Sequence, residues 1–198
     1  MLQPNEQVSA TGTSLIALGS NLASRAGSPE EIVRLGLERL AAFPVKILKI
    51  SRFFKTPCFP AGAGPDYINA CAEIMCALPP LELLAALHEV EADFGREREQ
   101  RWASRTLDID LLAIGNLVHP NLETQEAWQA LSVENQKLRA PDELILPHPR
   151  LQDRAFVLVP LADIAPDWTH PVLGVTVTEL LEKVPEADRA LVVPLGSG

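Results

Sequence analysis

The 198-residue sequence predicts an α+β domain of the ferredoxin-like class: a β-α-β-β-α-β sandwich with a C-terminal helical extension and an insertion near residues 121–141. Two observations predict it. Four strand-like apolar runs and two amphipathic helix patterns follow in that order between residues 14 and 114. The chain is 47% hydrophobic and 22% charged, which is typical of a folded chain and excludes wholesale disorder. We expect one domain over 1–198, with a core over 14–183 and a flexible segment over 1–13.

The first half of this order is two strands around a capped helix. Residues 14–18 form an apolar run that ends in a Gly-Ser-Asn turn, and such a run is typical of a buried strand. Ser28 is a suitable N-cap for the helix that follows, and Glu31 completes a capping box. Pro44 ends this helix because proline cannot continue it. Residues 45–55, rich in Ile, Val and Phe, are predicted to form one second strand.

The second half is a strand, a helix and a last strand, with both core helices expected on one face of the sheet. Residues 67–77 carry apolar side chains at alternate positions, which predicts the third strand. Apolar residues then recur at helical spacing from Leu83 to Phe94, and Gly95 is expected to cap this helix. Residues 106–114 are the fourth strand. Three weaker helix patterns follow, at residues 123–138, 154–164 and 178–184.

Charge and cysteine content exclude several classes of partner. Seventeen basic and 26 acidic residues give a net charge of −9, which argues against charge-driven nucleic-acid binding. No apolar run approaches about 18 residues, and the first thirteen residues lack the features of a secretion signal. The three cysteines lack metal-ligand spacing, and Cys71 and Cys76 would point to opposite faces of one strand. We therefore expect a cytoplasmic protein with free thiols and no nucleic-acid or membrane partner, a monomer with a dimer left open.

Two acidic residues of the last strand are candidate metal ligands. Asp108 and Asp110 are two residues apart, so strand alternation places both carboxylates on one face, with their Cα atoms about 6.5–7 Å apart. Carboxylates so placed can bridge two Mg²⁺ ions that also bind phosphate oxygens. Taken alone, the pattern is more typical of a sheet with one solvated face on which acidic residues alternate.

An arginine-rich segment precedes these aspartates. Arg96, Arg98, Arg101 and Arg105 fall within ten residues, and Trp102 lies among them. One guanidinium group can donate two hydrogen bonds to the oxygens of a phosphate, and phosphoryl transfer requires cations around the polyphosphate. The segment therefore indicates a phosphate-binding loop, although a solvated charged loop would have a similar composition.

Other nucleotide-binding signatures are missing from the sequence, which has neither a Walker-type loop nor a dinucleotide fingerprint. Tyr67 and Asn69 lie on one strand face after a glycine-rich loop, where they could stack on and hydrogen-bond a flat heterocycle. An ordinary sheet surface would look the same. His148, between two prolines, could reach a phosphate or a ribose, or serve the structure alone.

Five segments, in one order along the chain, carry a resemblance to a known family. They are I-A-L-G-S-N-L at 16–22, T-P at 56–57, P-D-Y-I-N-A at 65–70, R-W-x-x-R-T-L-D-I-D-L at 101–111, and L-P-H-P-R-L-x-x-R-A-F-V-L-x-P-L at 146–161. Together they resemble 6-hydroxymethyl-7,8-dihydropterin pyrophosphokinase of folate biosynthesis, and the resemblance runs from about residue 14 to about residue 183.

The resemblance implies transfer of the β,γ-pyrophosphoryl group of ATP to the pterin hydroxymethyl group, with release of AMP and with two Mg²⁺ ions. It implies metal binding by Asp108 and Asp110. It implies catalytic-loop roles for Arg96, Arg105 and Trp102. It implies pterin binding by Thr56, Tyr67, Asn69 and Phe156. It implies ATP binding by Glu91, Arg98, Arg101, Ile109, His148 and Arg154.

The sequence departs from the family pattern at three places. Residues 121–141 look like an insertion of about twenty residues whose purpose the sequence leaves open. The loop between Arg98 and Trp102 is about one residue shorter than in some relatives, and Cys58 stands where many relatives have proline.

Two other functions fit parts of the pattern. The same fold could hold ATP or a pterin as a sensor without turnover, but a sensor needs no arginine-bearing loop. A phosphate hydrolase on this scaffold would use Arg and Asn, without the pair Asp108 and Asp110. An RNA-binding function is excluded by the charge and by the lack of an aromatic RNP-type strand.

Overall fold

The computed structural model describes residues 12–58, 64–95, 106–132, 135 and 141–196. In chain order the elements are β1 (Gly12–Ser20), α1 (Pro29–Leu40), β2 (Val45–Ile50), β3 (Phe54–Thr56), β4 (Tyr67–Cys76), α2 (Pro80–Asp93), β5 (Asp108–Ile114), α3 (Leu122–Gln129), a 3₁₀ turn (Leu151–Asp153), α4 (Ala155–Ile164), α5 (Val177–Lys183), α6 (Glu186–Ala190) and β6 (Val193–Pro194).

The strands form one antiparallel sheet with β1 and β4 inside it. Its order is β5-β1-β4-β3-β6, and β2 pairs with β4 beside β3. Strand β5, which carries the two aspartates, therefore lies at an edge of the sheet. The fold is thus an α+β arrangement of an antiparallel sheet and helices, as predicted.

The predicted single strand over residues 45–55 is divided into β2 and β3. Where the division falls, the backbone N–H of Cys71 donates to the Ser51 hydroxyl (2.9 Å), and the backbone N–H of Arg52 donates to the Asp163 carboxylate (3.2 Å). Side chains thus supply hydrogen bonds that an uninterrupted strand would make with backbone groups. A prediction from residue pattern alone could not show this interruption.

Helices cover both faces of the sheet, which corrects the expectation of helices on one face only. Helices α1 and α2 bury a first core with residues that include Ile16, Ile32, Leu37, Ala72, Ile74, Leu83 and Leu87. Helices α4 and α5 bury a second core on the other face with residues that include Leu15, Cys71, Leu112, Val157, Leu161 and Leu180. Cys76 belongs to the first core and Cys71 to the second, so the two thiols point to opposite faces, as expected. Both are free.

Helix α1 begins at the predicted cap and packs closely against the start of β5. The Ser28 backbone N–H donates to Glu31 Oε2 (2.7 Å), and the Glu31 backbone N–H donates back to Ser28 Oγ (3.4 Å), which is the predicted capping box. A Cβ atom at Gly36 would lie 2.8 Å from the Leu107 side chain. The missing side chain at Gly36 therefore lets the helix pack on Leu107, directly before Asp108.

The folded region extends beyond the predicted core of 14–183 at both ends. Strand β1 starts at Gly12, and β6 pairs with β3 after helix α6. Residues 1–11, the main part of the segment expected to be flexible, lie outside the described residues. None of the helices in the described parts of the chain is long and apolar enough to cross a membrane.

The predicted insertion contains helix α3, which is shorter than the expected helix over 123–138. Asn121 caps α3 by accepting from the Thr124 backbone N–H (2.9 Å). Gln125 is fully buried, and its Nε2 donates to Pro147 O (3.3 Å). This part of the insertion is therefore packed against the L-P-H-P-R segment. Residues 133–134 and 136–140 lie outside the described residues.

Candidate active site on the face of strands β1, β4 and β5

A row of paired residues crosses three strands at one end of the sheet. Asp108 on β5 is paired with Gly19 on β1, which is paired with Asn69 on β4. Directly paired residues of antiparallel strands share a face, and neighbouring strands are about 4.8 Å apart. The predicted metal ligand Asp108 and the predicted pterin ligand Asn69 therefore lie on one face, about 10 Å apart.

A second row lies one step along the strands, on the same face. Asp110 is paired with Ala17, and Ala17 is paired with Cys71. Ile109 and Leu111 are buried in the first core, on the opposite face. The structure therefore brings the two carboxylates to the same face, as strand alternation predicts.

The side chain of Asn69 is held in one orientation between two neighbours. Its Nδ2 donates to the Thr56 hydroxyl (2.7 Å), and both side chains are buried. A Cβ atom at Gly19 would lie 2.9 Å from Asn69 Oδ1 and 3.8 Å from a ring carbon of Tyr67. The absence of a side chain at residue 19 thus leaves room for the Asn69 carbonyl and the Tyr67 ring. A flat polar molecule could meet an amide edge and an aromatic ring here.

Asp110 forms an ion pair with Arg154, the residue directly before α4. Asp110 Oδ2 lies 3.1 Å from Arg154 Nη1, and the two side chains are 33% and 24% exposed. The Arg154 guanidinium lies 5.5 Å from the centre of the Phe156 ring, and Phe156 is 40% exposed at the start of α4. Arg154 thus contacts both a predicted metal ligand and a predicted pterin-binding ring.

Glu91 of α2 is fully buried against the edge of β5. Its Oε1 accepts a hydrogen bond from the Ile109 backbone N–H at 2.7 Å. Since β5 is an edge strand, this carboxylate satisfies a backbone donor that no strand pairs on that side. The sequence predicts an ATP ligand at this position, and the structure places Glu91 behind the strand segment that joins the two aspartates.

A cavity of about 560 Å³ lies beside β5 and contains several predicted ATP-binding residues. Ile109, Asp110, His148 and Arg154 line it. It is also lined by residues to which the sequence assigned no role, namely Leu81, Leu84, His88, Trp128, Asp142, Glu143 and Arg150. Two of them could have been noticed in the sequence: Arg150 lies within the L-P-H-P-R motif, and Trp128 lies in a partial apolar stripe.

His148 is a neutral hydrogen-bond donor in this cavity. The pKa of His148 is lowered to about 4, chiefly by burial; the charges of Arg154 and Arg150 also lower it, and Asp110 opposes the shift. Its Nδ1 accepts from the Arg150 backbone N–H (3.1 Å), so the proton of the neutral ring resides on Nε2. That N–H is suited to an oxygen of a phosphate or a ribose.

The predicted catalytic loop lies outside the described residues. Arg96, Arg98, Arg101, Trp102 and Arg105 fall within 96–105, and their roles stay predictions. In the chain these residues fall between α2, which ends at Asp93, and β5, which begins at Asp108.

Comparison with known proteins points to one family. The model of the family described as 7,8-dihydro-6-hydroxymethylpterin-pyrophosphokinase (HPPK) matches residues 15–166. The chain is 37% identical over 154 residues to the 2-amino-4-hydroxy-6-hydroxymethyldihydropteridine pyrophosphokinase of Synechocystis sp., with 78% of this chain and 67% of that protein covered. It is 37% identical over 171 residues to the Pseudomonas aeruginosa protein of the same name, with 86% and 90% covered.

Solved structures agree on the fold. The Plasmodium falciparum HPPK-DHPS protein is similar with a TM-score of 0.63 at 15% identity, over 90% of this chain. This chain spans only 45% of that longer protein. At this identity the likeness concerns the fold alone.

Proposed function

The chain belongs to the 7,8-dihydro-6-hydroxymethylpterin-pyrophosphokinase family, and from this we propose that the face carrying Asp108, Gly19 and Asn69 is its catalytic site. The enzyme is an ATP-dependent pyrophosphokinase that transfers a pyrophosphoryl group to hydroxymethyldihydropterin in folate biosynthesis. The observation that supports the site proposal is the cross-strand row, because Asp108 and Asn69 share one face at a distance that two substrates can bridge.

We also assign the core to the ferredoxin-like class, as one domain. The support is the strand order β5-β1-β4-β2, all antiparallel, in which α1 connects β1 to β2 and α2 connects β4 to β5 on the same face. In both connections one strand lies between the two that are joined, which is the split β-α-β arrangement.

The pterin is proposed to lie over β1 and β4. Asn69 offers its amide to the edge of the heterocycle, and the backbone near Thr56 offers further hydrogen bonds. Tyr67 and Phe156 are the proposed aromatic faces that enclose the ring. Because Asn69 is already held by Thr56 at 2.7 Å, its amide is oriented before the substrate arrives.

The residues of β5 fit magnesium-bound ATP. Carboxylate oxygens are the ligands that Mg²⁺ prefers, and this ion keeps several waters and binds phosphates. In the described part of the chain no group of three or more His, Cys, Asp or Glu side chains is placed to hold a metal ion. Asp108 and Asp110 would thus hold the two ions together with phosphate oxygens and water, and the ions would neutralise the charge of the triphosphate.

The remaining residues position the reacting groups. In the proposed step the hydroxymethyl oxygen forms a bond to the β-phosphorus, the bond between this phosphorus and the oxygen bridging to the α-phosphorus breaks, and AMP leaves. The hydroxyl proton passes to water. Arg154, His148 Nε2 and the predicted Arg96 and Arg105 stabilise negative charge on the phosphate oxygens. Orientation and electrostatics supply the acceleration, without a covalent enzyme intermediate.

Product analysis tests this function. The purified chain is incubated with Mg-ATP and reduced 6-hydroxymethylpterin, and nucleotides are separated at intervals. We expect AMP to form only when the pterin is present. Formation of ADP, or of AMP without pterin, would contradict the transfer, and nucleotide binding without any product would indicate a sensor. The named relatives, all pyrophosphokinases, do not favour the sensor.

Location and assembly remain proposals. The three cysteines are free, which supports a reducing compartment and thus a cytoplasmic enzyme. A monomer stays our prediction, since the proposed site is built within one chain.

A further inference from the structure

We propose that Trp128, from the insertion, is the residue that stacks on the adenine base of ATP. This inference rests on the proposed function, because it assumes that ATP occupies the cavity beside β5. Trp128 is half-buried and lines that cavity together with Asp110, His148 and Arg154.

The cavity is lined by both charged and apolar side chains. The charged ones are Asp110, Asp142, Glu143, Arg150 and Arg154, and Leu81, Leu84 and Trp128 supply apolar surface. A nucleotide uses both kinds of group, since its triphosphate binds cations and its base binds a dry, flat surface.

Helix α2 carries its two cavity-lining leucines away from the candidate metal ligands. Glu91 contacts Ile109 at 2.7 Å, which ties this point of the helix to the strand segment of the aspartates. Leu84 and Leu81 precede Glu91 on the same helix, so at 1.5 Å per residue they lie about 10 and about 15 Å along its axis. These apolar side chains thus lie about two helical turns or more from the contact with Ile109, the residue between the two candidate metal ligands.

Helix α3 is anchored beside β5, and its Trp128 lines the cavity. Gln125 is fully buried and its side chain donates a hydrogen bond to Pro147 O. His148, the residue after Pro147, donates its backbone N–H to Leu112 O at 2.8 Å. Leu112 is two residues beyond Asp110 along β5. Since residues three apart share a helix face, Trp128 points to the same side as Gln125.

A purine base is the ligand group that this position suits best. An indole ring offers a large rigid π-face, and stacking of a base on an aromatic side chain contributes about 1–3 kcal/mol. The pterin is less suited, because its proposed ligands Asn69 and Tyr67 lie on β4, two strands from the edge. The insertion would therefore complete the base-binding part of the site.

The test compares two probes, of which only the first carries a base and a ribose. Binding of Mg²⁺ with α,β-methylene-ATP and of Mg²⁺ with inorganic tripolyphosphate is measured by calorimetry for the wild type, Trp128→Ala, Trp128→Phe and Glu126→Ala. Glu126 is exposed on the same helix and is the matched control. We expect Trp128→Ala to weaken binding of the ATP analogue by about 10- to 100-fold, Trp128→Phe by only a few-fold, and Glu126→Ala not at all. Tripolyphosphate binding should be unchanged in all four proteins.

Two results would overturn the inference. One is an unchanged affinity of Trp128→Ala for the ATP analogue. The other is an equal loss for both probes, which would indicate a structural role. Steady-state kinetics separates this inference from the proposed function. A wild type that forms no AMP refutes the function. The calorimetric comparison of the two probes still decides the role of Trp128. If the wild type is active, Trp128→Ala should raise the KM for ATP and leave kcat within about threefold, since stacking holds the substrate and the transition state alike.

Discussion

Replacement of Gly19 by alanine tests the proposed pterin site most directly. The new Cβ atom would lie 2.9 Å from Asn69 Oδ1, whereas ordinary van der Waals contact begins at 3.4 Å. The amide oxygen must therefore withdraw by about 0.5 Å, or the backbone of β1 must shift by a similar distance. Asn69 is buried and holds a 2.7 Å hydrogen bond to Thr56, so it cannot move without weakening that bond.

Two consequences follow for the Gly19→Ala enzyme. Overpacking in a buried site costs about 1–3 kcal/mol, and removal of a strand glycine returns about 0.5–1 kcal/mol, so we expect a net loss of about 1 kcal/mol in the free energy of unfolding. Misplacement of a substrate-orienting group by 1 Å can cost about 100-fold in rate, so a shift of half that size should lower kcat/KM for the pterin by about tenfold. The KM for ATP should stay within about twofold, because the nearest atoms to the new methyl group belong to Asn69 and Tyr67.

The assay is steady-state AMP formation with each substrate varied in turn, together with urea denaturation. Gly12→Ala is the matched control, since Gly12 lies in the same strand and a Cβ atom there meets nothing within 4 Å. We expect the control to keep wild-type kinetics. If Gly19→Ala shows the same kinetics as Gly12→Ala, the Asn69 amide does not bind the pterin in the way we propose.

Three further variants test other parts of the site and the fold. Asp110→Ala should abolish AMP formation because a candidate metal ligand is lost, and it should leave a cooperative thermal transition because the ion pair with Arg154 that it also removes is partly exposed; clear turnover would exclude the metal role. Arg105→Ala should lower kcat by about 100-fold while the KM for either substrate changes less than about fivefold, since its charge acts on the transition state; a pure KM effect would refute this. Burial lowers the pKa of the fully buried His170 to about 4 from its ordinary 6.5. The unfolded chain therefore binds more protons between these values, and stability should fall as the pH falls from about 6.5 to about 4. Denaturation curves for His170→Gln should show a smaller pH slope than the wild type over that range, and an identical slope would be evidence against this source of acid sensitivity.

The sequence predicts those features that depend on neighbours along the chain. The Ser28 cap and the shared face of Asp108 and Asp110 follow from local chemistry and from strand alternation, and the structure confirms both. The division of the second strand was missed because it depends on Ser51 meeting Cys71, a contact between residues twenty positions apart.

In the candidate site, too, the sequence predicts some residues and misses one that depends on a long-range contact. Family motifs directed attention to Asn69, His148 and Arg154, which the structure places beside the sheet face or in the cavity. Trp128 lies in the insertion, where no motif applies and only a partial apolar stripe exists. Helix α3 is held beside the cavity by the hydrogen bond between Gln125 and Pro147. These residues are far apart in the sequence, so residue periodicity does not predict their contact.

The outer edge of β5 is covered by side chains and a loop instead of a further strand. The Ile109 amide binds Glu91, and the Leu112 carbonyl binds the backbone of His148. Uncovered edges recruit strands from other molecules and lead to aggregation. His148, which lines the candidate nucleotide cavity, therefore also covers an edge that a strand of a neighbouring chain could otherwise join.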